Sequence, residues 1–210
     1  MFAHPVKRGP AQLLTALVLV LVPTATAQAQ LPVPLPVPTA PAPTTSAPAP
    51  ATPTVPAAAG CAGANALPGS VPAGTVRGAV LCLLNVQRTA RGLPALRASR
   101  PLRLAATRWA RTMVSRHFFD HSRSGSTLST RVARTAYLRR TRSWALGENI
   151  AYGSGARGTP AAIVAAWMGS PPHRANILLR RFRDIGIGVA PGLPVGGSGA
   201  TFVTDFGVRR

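Results

Sequence analysis

Side chains able to carry out chemistry are scarce in this chain of 210 residues. The only carboxylates are Asp120, Glu148, Asp184 and Asp205, and the only histidines after His4 are His117, His121 and His173. Two cysteines, Cys61 and Cys82, exclude a cysteine zinc site by count. The nucleophile elbow Gly-x-Ser-x-Gly is missing, because Ser198 has Gly196 before it but Ala200 after it. No His-Glu-x-x-His helix occurs either. A glycosidase working with two carboxylates would have to combine Glu148 with Asp120, Asp184 or Asp205. One nucleotide motif matches by letter, Gly153 to Gly158 as GxGxxG. It lacks an acidic residue about 20 positions on and reads as a turn. No stretch is long and apolar enough to be a membrane helix, since the run Ala11–Val22 falls short of the roughly 20 residues a span needs.

Lysine is almost absent too: Lys7 is the sole one, and arginine supplies the rest of a net charge of +20. The arginines are spread through helices and loops alike, with no single basic element of the kind that enters nucleic acid, so no nucleic-acid partner is expected. A surface this positive favours anionic envelope polymers or lipids at low salt. Lys7 and Arg8 precede the short apolar run, and Ala25-Thr26-Ala27 and Ala27-Gln28-Ala29 fit small-x-small cleavage sites. Residues 1–29 therefore read as a signal peptide, and the protein as secreted. Residues 30–60 read as a Pro/Ala/Thr-rich linker: ten prolines and no charge stand within 31–59. Such a composition buries no core and extends up to ~90 Å as polyproline II.

From 61 to 210 periodic apolar segments return, enough for one domain. Val76, Val80, Leu83 and Leu84 predict a helix over 75–91, ended by Gly92-Leu93-Pro94. Ser99 caps a second, with Leu102, Ala105, Ala106, Trp109 and Met113 on one stripe. A weaker helix is expected over about 127–138. Thr159-Pro160 and Ser170-Pro171 each open a further helix. Strands are expected at 147–152, 185–190 and 201–208, the last two joined by a Gly/Pro-rich hairpin loop. Helices crowd the first half and strands the second, which favours an α+β fold.

An even cysteine count in an exported chain makes Cys61–Cys82 a disulfide, closing a ring of about 20 residues worth ~3 kcal/mol. Glu148, the only glutamate, stands in an apolar strand where an unpaired carboxylate is costly. Its natural donors are His121 and His173. His173 sits at the third position of a helix capped by Ser170, where the positive helix end favours neutral imidazole, fit to ligate a metal or act as a base. His121, Glu148 and His173 are the candidate ligand cluster, for a divalent metal such as zinc or another ligand, with Ser170, Asn149 and Asp205 as supporting candidates. No other cofactor is called for. A hydrogen-bonded cluster that merely orders the fold is the competing reading of the same trio.

In order along the chain stand Leu84-Asn85 to Arg88 with Gly92 to Leu96, Ala105-Ala106 to Trp109-Ala110, Phe119-Asp120-His121-Ser122 and Gly147-Glu148-Asn149-Ile150-Ala151. Trp167 to Ser170, His173-Arg174-Ala175-Asn176-Ile177-Leu178, Phe182 to Val189 and Phe206-Gly207 follow. This series resembles the CAP superfamily of cysteine-rich secretory, antigen 5 and pathogenesis-related proteins, in its bacterial SCP-like extracellular branch. The resemblance implies an α-β-α sandwich around a small antiparallel sheet, with a cleft holding His121 and Glu148. Where animal and plant members have a second Glu and a second His, this chain has Ser170 and Arg181. The bacterial pattern uses His173 instead. Members resembling this chain have been associated with sterol or lipid binding, signalling and hydrolysis. The expected function is a non-catalytic extracellular binding module acting on envelope components or lipids. The alternative is a hydrolase, metal-assisted or not, built on His121, Glu148 and His173.

Overall fold

The computed structural model describes residues 60–210; the expected leader and all of the linker before Gly60 lie outside the described residues. Five helices and four strands follow in chain order: α1 (Ala73–Thr89), β1 (Arg97–Ala98), α2 (Arg100–Ser115), α3 (Leu128–Ala133), β2 (Trp144–Gly153), α4 (Pro160–Gly169), α5 (Pro171–Leu178), β3 (Asp184–Pro191) and β4 (Ala200–Arg209). The strands form one sheet in the order β1-β3-β4-β2. Helices cover both faces, so the α+β sandwich expected from the sequence is the fold.

The period of two along each strand decides which helix meets which face. Ile185 and Ile187 of β3 and Phe202 and Phe206 of β4 project to one side, where Val80 and Leu84 of α1, Ile163 and Trp167 of α4 and Ile177 of α5 complete the larger core. The alternate residues face α2. There Ile150, Ala190 and Val203 meet Ala106, Trp109, Ala110 and Met113. The approach of α2 is close because β3 offers it a floor without side chains. A Cβ built on Gly186 would stand 2.1 Å from the Arg103 backbone nitrogen, and one on Gly188 2.3 Å from the Ala106 carbonyl carbon. That contact fixes the height of α2, and with it the loop that follows and carries His121. At the start of the domain, Cys61 and Cys82 are disulfide-bonded with their Cα atoms 5.7 Å apart, tying the first turn to the middle of α1.

Three elements depart from the expected pattern. The sheet is not wholly antiparallel: β1 runs parallel to β3, pairing Arg97 with Asp184 and Ala98 with Ile185. Two residues carry no readable periodicity. This strand is set by Asn85, whose side chain grips both the N–H and the carbonyl of Leu96 at 2.7 and 3.1 Å. Helix α3 stops at Ala133, five residues before the expected end. The Thr135 hydroxyl there donates to the Val132 carbonyl and accepts from the Tyr137 N–H, closing a turn in place of another helical one. Strand β2 begins at Trp144, three residues early, because its whole length pairs with β4 from Trp144–Arg209 to Gly153–Ala200.

Candidate functional site

Glu148 sits at the centre of β2, opposite Asp205 of β4 and on the α2 side of the sheet. Its side chain is 3 % exposed, and both carboxylate oxygens are occupied. His121 Nδ1 lies 2.9 Å from Oε1, and Arg131 Nη2 donates to Oε2 at 2.5 Å. Arg131, from α3, is buried as well; it donates to the carbonyl of His121 at 3.0 Å and stacks its guanidinium 4.0 Å over the Trp109 ring. Trp109 in turn donates from its indole to the Asp120 carbonyl at 3.1 Å. Two side chains from α2 and α3 thus hold the backbone of residues 120–121, so that the His121 imidazole, 54 % exposed, reaches the buried acid from outside.

The other candidates divide between the two faces. Asn149, the next residue along β2, points away from Glu148 and donates to the His173 carbonyl at 3.0 Å. Asn176 of α5 donates to the Glu148 carbonyl and to Asn149 Oδ1, which pins α5 against the edge strand. Ser170 takes the N-cap position of α5 without capping it; its hydroxyl meets His173 Nδ1 at 2.9 Å. His173 is therefore not a hydrogen-bond partner of Glu148, as the sequence had suggested. The Arg131 guanidinium fills that role. Sequence reading had no means of selecting it: a buried glutamate demands a cation, but arginines abound and α3 is short.

The electrostatics split the two histidines. The hydrogen bond to Glu148 raises the His121 pKa above the usual imidazole value, against the opposing effect of partial burial. His173 moves the other way, first through burial and then through repulsion from His121. The two imidazoles are thus displaced in opposite directions. Asp205 is wholly buried, and neither of its oxygens meets a donor among the described residues. Burial, and then the charge of Glu148, push its carboxyl well above the ordinary range. Where Asp205 holds its proton, the cross-strand pair carries one negative charge, which Arg131 balances.

That retained proton sets a pH dependence. The folded chain keeps it while the unfolded chain loses it above about pH 4, so this part of the stability is complete below that value and declines as pH rises through the folded-state pKa. Asp205→Asn carries an amide in place of the acid and is free of the decline. Relative to the unsubstituted protein it should gain about 1–3 kcal/mol near pH 8 and little near pH 4, in urea unfolding followed at both values. An equal loss at both would mean that Asp205 is an ordinary ionised partner.

The trio does not fit a zinc ion. Glu148 has both oxygens engaged, one of them by a guanidinium in the place a second cation would need, and His173 Nδ1 is turned to Ser170. Among the described residues no three His, Cys, Asp or Glu side chains converge, whereas structural zinc takes four ligands and catalytic zinc three.

Known proteins share this architecture. A family model described as the cysteine-rich secretory protein family, CAP, matches residues 81–204, which hold His121, Arg131, Glu148, Asn149, Ser170 and His173 but not Asp205. The Bacillus subtilis protein YkwD, described as uncharacterized, is 33 % identical over 111 residues, covering 52 % of this chain and 40 % of YkwD. The chain thus matches less than half the length of that relative. An outer surface protein of Borrelia burgdorferi superposes with a TM-score of 0.57 at 19 % identity, covering 67 % of this chain and 97 % of the other. An extracellular SCP-domain protein of Bacillus anthracis superposes with a TM-score of 0.52 at 22 % identity, covering 68 % of this chain and 45 % of the other.

Proposed function

The chain belongs to the cysteine-rich secretory protein family, and from that premise we propose that it is a non-catalytic extracellular module that binds an anionic polymer of the cell envelope. One observation carries the reading. A groove of about 690 Å³ beside α2 is lined by six arginines, Arg108, Arg111, Arg116, Arg123, Arg131 and Arg134, and by no acidic residue. Trp109 and Phe118 form its apolar part, with the Arg123 guanidinium 4.5 Å over the Phe118 ring. Planar guanidiniums along a groove suit phosphate or carboxylate groups repeated on a chain. The Glu148 cluster supports this surface from behind: Arg131 belongs to both, and the anion beneath it sets its position.

Hydrolysis by paired carboxyls is less well supported. Glu148 is 3 % exposed at the side chain and Asp205 is sealed, so neither reaches a glycosidic oxygen while His121 and Arg131 cover Glu148. An extracellular setting agrees with the leader-like N-terminus and with the Bacillus anthracis neighbour, an extracellular protein.

Binding of the secreted chain to a phosphate- or uronate-bearing wall polymer, measured against a neutral glucan at rising salt, tests the reading. The anionic polymer should bind and be released by salt, and Arg108→Glu with Arg111→Glu should weaken it by about tenfold or more. Equal binding of the neutral glucan, unaffected by the charge reversals, would overturn it.

A further inference from the structure

We propose that the end of the sheet carrying Trp144 is a second site, which docks on an anionic phospholipid surface. This end has its own groove, of about 700 Å³, lined by five arginines, Arg180, Arg181, Arg183, Arg209 and Arg210, and by no acidic residue. It shares no lining residue with the groove beside α2. All five arginines are exposed. Trp144 opens into the same groove and is 49 % exposed, a rare state for the largest apolar side chain.

The patch is presented on fixed backbone. Trp144 pairs with Arg209 across β2–β4, and beyond them Arg142 N–H and Ser143 N–H donate to the Arg210 carbonyl while Arg210 N–H donates to Ser143. Arg209 donates to the Tyr137 carbonyl at 2.9 Å, and Arg183 donates to the Phe182 carbonyl at 3.1 Å. The nearest acid in sequence, Asp184, is engaged elsewhere, accepting from the Tyr137 hydroxyl at 2.9 Å and facing Arg97 at 3.7 Å. Among the described residues, no acidic side chain therefore neutralises the arginines of this end.

The combination selects the occupant. Guanidiniums fork onto phosphate oxygens, and an indole with one polar edge settles at the headgroup level of a bilayer. A soluble polyanion would use the arginines but gain little from a lone protruding indole, whereas a lipid interface uses both. This site is independent of the polymer-binding reading: it lies on other elements and calls for other variants.

The test uses the secreted chain with vesicles of phosphatidylcholine, alone or mixed with phosphatidylglycerol. Trp109 and Trp167 are buried, so changes in quenching of indole emission by acrylamide report on Trp144. Mixed vesicles should pellet the protein and shield its emission, and phosphatidylcholine alone should do neither. Trp144→Ala keeps every charge and should still lose vesicle affinity by about tenfold; Arg181→Glu with Arg210→Glu should lose at least as much. Arg108→Glu with Arg111→Glu, in the other groove, should bind vesicles within about threefold of the unsubstituted protein. If Trp144→Ala misfolds by circular dichroism, shielding of Trp144 in the unsubstituted protein decides instead. Undiminished binding by a folded Trp144→Ala, or full quenching of the vesicle-bound protein, would overturn the proposal. So would vesicle binding lost only with Arg108 and Arg111.

Discussion

Arg88→Ala is expected to lower the unfolding free energy of the domain by about 3–5 kcal/mol, a large part of the margin of a chain this size. Arg88 lies on the last turn of α1 and has no exposed surface. No carboxylate meets it. Its guanidinium is solvated by backbone instead: Nε donates to Pro94 at 2.9 Å, Nη1 to Ile177 at 2.6 Å and to Leu179 at 3.2 Å, and Nη2 to Phe182 at 3.2 Å. One side chain thus joins α1, the loop toward β1, the end of α5 and the approach to β3. Burial, with Arg183 nearby, holds its pKa below the usual arginine value, a sign of how dry the site is. Alanine would take a donor from four carbonyls, two of them in buried bonds, and leave a cavity. Lysine keeps the charge but not the planar fork and should recover about half of the loss. Urea unfolding of the three proteins measures this directly, and a loss under about 1 kcal/mol for alanine would show that water replaces the guanidinium without cost.

Glu148→Ala should be nearly as damaging, at about 3–5 kcal/mol, because it strands the buried Arg131 without an anion and releases His121. Glu148→Gln preserves shape and one acceptor for Arg131, and should cost about 1–3 kcal/mol. In both variants the His121 imidazole should titrate lower than in the unsubstituted protein, since its hydrogen bond to Glu148 is the main cause of the raised value. Unfolding curves and imidazole proton shifts against pH check the pair. Two variants within about 0.5 kcal/mol of the unsubstituted protein would remove the structural role assigned to the cluster.

The sequence made visible what repeats or what is rare. Apolar spacing located the helices because α1 and α2 bury one stripe each, and the strands at Asp184–Pro191 and Ala200–Arg209 announced themselves by β-branched runs around a glycine-rich loop. Glu148 drew notice as the only glutamate, and a carboxylate in an apolar strand implied a partner. His121 was identifiable as that partner; Arg131 was not, since rarity marks histidine and abundance hides arginine. The separation of Glu148 from Asn149 follows from the two-residue period, yet the placing of His173 beside Ser170 depends on how α5 meets the edge of β2. Asp205 stood among the supporting candidates and among the three carboxylates able to pair with Glu148. Only the register opposite Glu148 shows that two acids share one buried place.

The most direct test of the binding account is to incubate the protein with a size-defined anionic wall polymer and follow complex formation and polymer length in the same sample. The account predicts saturable binding that salt reverses, with polymer length and reducing ends unchanged over time. Accumulation of new reducing ends, abolished by Glu148→Gln in a protein that still binds, would contradict it and make the buried acid a catalyst.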